Sequence, residues 1–226
     1  FINRLDDIVI FNDMDEKIRG TGIGSLVEAH GETYVFCHRH KDYGQPEPRT
    51  IAVDRVLWRY YPELGYEVPH CNGPTSTLQP NPATADGYRN VAAEAVAEAT
   101  NGANSAGYLN DGYVAIHDRD ENIIFRTEGG KTTITLTFAK EKEIHAVAIY
   151  NDRNIDYAFG KVDYILFENA AATYKIEDLV FPEEYGSTLY GSVIPGAAIT
   201  AVFRPLKVKK ITIRISRSLS EEDDEN

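Results

Sequence analysis

The sequence predicts an all-β protein built from antiparallel sheets. Tyr is unusually common, at 14 residues against one Trp and one Met. Together with frequent Thr, Val and Ile it suits pleated, half-exposed surfaces. Short runs alternate apolar and polar with period two, most clearly Thr133-Ile134-Thr135-Leu136-Thr137-Phe138 and Lys210-Ile211-Thr212-Ile213-Arg214-Ile215. Clusters of Gly, Pro, Asn and Asp separate the runs at regular spacing, which is the pattern of an antiparallel sandwich.

The elements follow in chain order. Ile8-Val9-Ile10-Phe11 reads as a short strand stopped by Asn12-Asp13. Gly20, Gly22 and Gly24 then open a hairpin, and glycine there permits positive φ or close backbone approach. Residues 25–28 and 33–36 form its arms, turning at Ala29-His30-Gly31-Glu32. Residues 50–58 alternate as a third strand. From 60 to 90 stand Pro62, Pro69, Pro74, Pro80 and Pro82 with Gly65, Gly73 and Gly87. That density predicts an extended linker without regular structure.

A second unit starts at Asn90. Residues 91–99 suit a helix by their Ala and Glu content, and an extended strand by alternation of Val91, Ala93, Ala95, Ala97 and Ala99. Strands are then expected at 123–125, 132–138, 143–150, 161–168, 198–203 and 209–216. Period-two spacing directs Ile134, Leu136, Phe138, Val147, Ile149, Ile165, Phe167, Ile211, Ile213 and Ile215 to a shared interior.

A chain of 226 residues accommodates one large β domain or two small ones. Its formal charge of −12, part of it in the acidic run at 221–225, opposes nucleic acid and anionic membrane as partners. It is compatible with a neutral ligand such as sugar. Two cysteines are too few for a disulfide framework. Cys37, in an apolar strand, reads as a buried free thiol. No apolar run approaches 18 residues, so no membrane-spanning helix is expected.

The order Gly20-Thr21-Gly22-Ile23-Gly24-Ser25, Tyr34-Val35-Phe36-Cys37-His38, Pro48-Arg49-Thr50 resembles the last blade of the five-bladed β-propeller of glycoside hydrolase family 43. The resemblance implies that residues 1–75 complete a propeller whose earlier blades, with the catalytic carboxylates of an inverting hydrolase, lie upstream. Inversion needs two carboxyl groups far enough apart to admit water. Asp6, Asp7, Asp13, Asp15 and Glu16 have instead the spacing of a solvated turn, so no catalytic residue is assigned in this chain. By the same resemblance His38 lines the substrate pocket and Arg49 hydrogen-bonds a sugar hydroxyl. Where many family members carry a histidine facing a central metal ion, this chain has Ile23, which offers no ligand. His38 and His40 share a face if the strand continues, yet lack a third ligand for zinc.

Residues 88–216 resemble the galactose-binding-like jelly roll of discoidin and factor V/VIII type C domains. The pieces are Asn90-Val91-Ala92, Leu109-Asn110-Asp111-Gly112, residues 132–138 with 144–151, Pro195-Gly196-Ala197-Ala198, and residues 209–215. This resemblance favours the strand over the helix at 91–99. It gives a three-part organisation: propeller blade 1–75, linker 76–87, sandwich 88–226. It places a structural calcium at Asp111, a hard oxygen ligand, although the usual acidic ligand from the final strand is not visible.

Sugar contacts in the sandwich fall to its loops. His117, Asp118, Arg119 and Asp120 form one group; Arg153, Asn154, Asp156, Tyr157 and Phe159 form the other. They combine stacking surface with donors and acceptors for hydroxyls. Of these, His117, Arg119, Arg153, Tyr157 and Phe159 are the assigned carbohydrate contacts. Trp58, Tyr60 and Tyr61 make the densest aromatic cluster; as strand aromatics beside a linker they are expected to pack a seam between units. The resulting expectation is the C-terminal segment of a secreted, periplasmic or cell-surface glycoside hydrolase acting on a plant-type arabinoside, xyloside or galactoside. Its partners are carbohydrate and the earlier propeller blades. The alternative is a carbohydrate-binding or spacer module without catalytic function.

Overall fold

In a computed structural model the chain is described over residues 22–40, 47–71, 89–112, 124–127, 129–151, 159–177 and 198–216. The described residues form two antiparallel sheets, as the alternation predicts. The first is a meander of four strands in sequence order: β1 (Gly22–Ala29), β2 (Glu32–Arg39), β3 (Thr50–Tyr61) and β4 (Tyr66–His70). The second has five strands in the order β5-β6-β9-β7-β8, with β5 Ala95–Ala99, β6 Lys131–Tyr150, β7 Lys161–Glu168, β8 Thr173–Glu177 and β9 Ala198–Ser216. The expected strand at 8–11 lies outside the described residues.

The β1–β2 hairpin turns where the sequence places it. His30 and Gly31 both have positive φ, 53° and 79°, the two-residue geometry that matches strand twist. Cross-strand pairing puts Thr33, Val35 and Cys37 on the same face as Val56, Asp54 and Ala52, and all six are buried. Cys37 and Cys71 are both buried, and neither is in a disulfide. Burial pushes the Cys37 thiol up, aided by Asp54 and opposed by Arg39, which leaves little thiolate for chemistry.

The expected featureless linker begins too early. β4 occupies 66–70 and pairs with the end of β3, Trp58 opposite Pro69 and Tyr61 opposite Tyr66. Leu64 N and Gly65 N both donate to Tyr61 O, at 3.0 and 2.9 Å, and close the turn. Pro69 is tolerated because β4 is an edge strand, where one missing donor breaks no ladder. Proline density alone does not reveal an edge position, which depends on strand order.

The second sheet carries the larger core. Ile134, Phe138, Ile144, Val162, Ile165, Phe167, Val208, Ile211, Ile213 and Ile215 are buried together, with Leu136, Val147 and Ile149 packed against them. All ten residues assigned inward from sequence therefore belong to this core. The strands expected separately at 132–138 and 143–150 are one long β6, and those at 198–203 and 209–216 are one long β9. Register shifts between Thr137 and Lys142, and between Ile144 and Ala146, break the β6–β9 ladder. Such irregularities bend a ribbon. Phe167 shows the outcome: it pairs with Ile211 within the sheet, while its ring meets that of Phe203, earlier in β9, at 4.9 Å between centroids. The far half of the ribbon thus folds over the sheet and encloses the core as a second layer.

Residues 91–99 divide between the two readings. Ala92–Glu94 is a short 3-10 turn and the strand starts only at Ala95. Asn110 Nδ2 donates to Ala92 O at 2.7 Å and to Ala95 O at 2.9 Å, holding that turn. Gly102 has φ 78°, and a Cβ there would lie 1.9 Å from Arg126 O. Only glycine fits such an approach, which Ser105 Oγ fastens by bonding both the Gly102 and Arg126 backbone.

One polar group joins the sheets. Glu32 Oε2 accepts from Arg55 Nε at 2.7 Å, and Glu32 Oε1 accepts from Asn90 N at 2.9 Å. Arg55 also hydrogen-bonds the Tyr150 hydroxyl at the end of β6. Tyr150 is half-buried as a whole residue, and its hydroxyl lies within reach of Arg55, Asp54 and Cys71. Burial pushes the phenol up to about 12; Asp54 and Cys71 add to this, and Arg55 opposes it. The folded chain therefore keeps a proton that an unfolded tyrosine releases above about pH 10. This contribution to stability is complete below pH 10 and is lost as pH rises toward 12. Denaturant melts across that range should show a steeper alkaline loss for the native chain than for Tyr150→Phe; equal slopes would contradict the buried phenol.

Candidate functional site

His38 is the penultimate residue of β2 and pairs across the sheet with Gly22 on one side and Ile51 on the other. A Cβ at Gly22 would stand 3.3 Å from His38 Nε2 and 3.4 Å from Cε1. The imidazole therefore lies over Gly22, and the missing side chain makes room for it. This is the structural use of that glycine. Gly22 and Gly24 serve close approach rather than positive φ, since neither is among the positive-φ glycines of the described chain. Gly24 likewise faces Val35, whose Cγ2 would be 3.1 Å from a Cβ. Gly20 lies outside the described residues.

Arg49 stands just before β3, two residues ahead of Ile51, the partner of His38. The meander thus brings His38 and Arg49 to one end of the first sheet. Arg49 Nε pairs with Glu47 Oε1 at 3.1 Å on the exposed surface. This end of the sheet thus carries an imidazole on a fixed seat and a guanidinium, groups that can bind hydroxyls or a carboxylate. His40 follows the end of β2 and is half-buried. No group of three His, Cys, Asp or Glu suited to a metal gathers among the described residues.

In the second sheet the assigned contacts divide. His117, Arg119, Arg153 and Tyr157 lie outside the described residues, with Asp118, Asp120, Asn154 and Asp156. What is described is the base of the second loop. Buried Asn151 donates from Nδ2 to Phe159 O at 2.9 Å and accepts from Phe159 N at 3.0 Å. A side-chain amide thus copies a strand pair and joins Asn151 to Phe159. Phe159 itself is half-buried and packs against the core. Sequence reading missed Asn151, although an Asn ending a strand before a polar loop was a visible signal for such a bond.

Asp111 is exposed, beside Gly112 at φ 91°. The nearby carbonyls of Ala92 and Ala95 already accept from Asn110. Calcium takes six to eight oxygens, so a site here would draw on more groups than Asp111 alone.

The aromatic cluster corrects the sequence reading. Tyr61 is buried, with Arg59 over its ring at 5.3 Å. Trp58 and Tyr60 instead lie open to solvent, on the opposite side of the strand from Tyr61. The seam between sheets is made by Glu32, Arg55 and Tyr150, whose pairing has no local sequence signature.

No protein-family profile matches the chain, and no curated protein matches it significantly. Solved structures with partial likeness include a family 32 carbohydrate-binding module of NanJ from C. perfringens in complex with galactose. It is 15% identical, with a TM-score of 0.39, over 57% of this chain and 88% of that one. Another is CpGH89CBM32-5 from Clostridium perfringens in complex with GalNAc-beta-1,3-galactose, 16% identical, TM-score 0.39, over 56% and 86%. A third is chitosan-binding module 1 of a chitosanase/glucanase from Paenibacillus sp. IK-5, 14% identical, TM-score 0.38, over 57% and 88%. With TM-scores this low the likeness carries no argument; the all-β architecture rests on the strand register itself.

Proposed function

We propose that this chain is the carbohydrate-binding C-terminal segment of a family 43-like glycoside hydrolase acting on a plant-type arabinoside, xyloside or galactoside. Catalytic carboxylates would be supplied outside these 226 residues, and the setting would be secreted, periplasmic or cell-surface. One observation carries the reading. His38 is seated on Gly22, and the strand register brings it to the same end as Arg49 in a four-stranded antiparallel meander, the unit from which a propeller blade is made. The residues doing this are those that the sequence resemblance marks. The chain's charge of −12 fits a neutral ligand better than an anionic one. In the second unit, Arg153 and Tyr157 are the residues whose chemistry suits hydroxyl contact and stacking.

The test has two arms. The chain should not turn over aryl arabinosides, xylosides or galactosides; turnover above an inactive control would overturn the division of labour. It should bind neutral glycans on an array, and replacing Arg153 and Tyr157 with Ala should weaken that binding while leaving stability within about 0.5 kcal/mol. A second reading, a structural spacer, draws on the Glu32–Arg55–Tyr150 junction, since a brace needs such a fixed joint. Absence of any glycan binding would select it.

A further inference from the structure

We infer that Trp58, Tyr60 and Glu67 form a second carbohydrate contact on the first sheet, a stacking platform for a neutral oligosaccharide separate from the sandwich loops. Along one face of β3, Ala52, Asp54 and Val56 are buried. The next two residues on that face, Trp58 and Tyr60, are 40% and 55% exposed. The face is covered along its first half and open along its second. Neighbouring β4 places Pro69 opposite Trp58 and exposed Glu67 opposite Tyr60.

The indole is held in place. Trp58 Nε1 donates to Thr33 Oγ1 at 3.0 Å, so its polar edge is satisfied within the protein. What it offers outward is apolar ring surface, with little rotamer freedom left to lose on binding. Two residues along a strand put their Cα atoms roughly 6.6 Å apart, the scale of neighbouring rings in an oligosaccharide. Sugar rings present C–H faces to aromatic surface and hydroxyls at their rims. Tyr60 and Glu67, cross-strand partners and both exposed, supply a hydroxyl and a carboxylate as partners for such hydroxyls.

The occupant follows from size and charge. A fully exposed aromatic side chain offers about 150–250 Å², so the two rings leave roughly 200 Å² open at these exposures. A stable protein contact needs about 800 Å² per partner. A small ligand needs far less. A charge of −12, with Glu67 at the platform, repels an anionic chain. The sugar class rests on the carbohydrate reading above; the location does not depend on the loops.

Trp58 is the chain's single tryptophan, so its emission reports this site alone. The intact chain is titrated with neutral xylo-, arabino- and galacto-oligosaccharides and with oligogalacturonate, by tryptophan emission and calorimetry in parallel. The platform predicts a saturable emission change with a neutral series and shielding from acrylamide. It also predicts weaker binding of the anionic series, and affinity reduced about tenfold in Tyr60→Ala. The Arg153→Ala/Tyr157→Ala variant should keep the emission response. Calorimetric binding with unchanged emission overturns the platform and leaves the general carbohydrate reading standing. No binding by either method overturns both. Emission that instead tracks protein concentration, with a dimer in sedimentation, assigns the face to a second copy and overturns the platform.

Discussion

Truncation of Phe167 to Ala is expected to lower stability by about 3–5 kcal/mol. The side chain is fully buried at the centre of the larger core. It touches both halves of the β6–β9 ribbon, Ile211 by strand pairing and Phe203 by a tilted ring contact at 4.9 Å. Its loss therefore leaves a cavity at the point where the folded-over layer meets the sheet. A Phe167→Ala/Phe203→Ala cycle should return a coupling of about 0.5–1.5 kcal/mol. Urea unfolding with an unchanged slope measures both. A loss below about 1 kcal/mol, with no coupling, would mean that the ribbon does not fold back as described.

Replacement of Arg55 by Ala is expected to be nearly as damaging, about 3–5 kcal/mol, because it leaves Glu32 charged and largely buried. The Arg55 and Glu32 side chains are only 19% and 13% exposed. The arginine also bonds the Tyr150 hydroxyl, and Glu32 also holds Asn90 N. One substitution thus loosens the first sheet from both ends of the second unit's opening segment and ribbon. Arg55→Lys should not restore stability, since a single ammonium cannot reproduce the fork of the guanidinium. Glu32→Gln should be milder than Arg55→Ala, because an acceptor for Asn90 N survives. Thermal melts of the three variants provide the comparison. A wild-type-like Arg55→Ala protein would contradict a structural joint between the sheets.

Much of the fold was legible because it obeys period two. The inward set from Ile134 to Ile215 needed only alternation, since a strand residue's face is fixed by its parity. The His30-Gly31 turn was legible for a similar local reason. What escaped was non-local. No window of sequence shows that residues 132–138 and 143–150 form one bent strand, because the bend depends on register shifts against β9. Nor could β4 be read through Pro69, whose tolerance comes from lying at an edge. At the candidate site, His38 and Arg49 were marked by motif. The seat under His38 needed the Gly22 pairing to become visible. Trp58 and Tyr60 were recognised as a cluster but assigned to a seam, since sequence does not tell which part of a strand face a neighbour covers.

The central claim is that the chain holds neutral glycan and leaves bond cleavage to residues outside it. Calorimetric titration of the intact chain with neutral arabino-, xylo- and galacto-oligosaccharides tests it most directly. The account predicts saturable heat of binding with at least one series, and intact oligosaccharide recovered after prolonged incubation. Absence of binding to all of them, or recovery of shortened products, would contradict it.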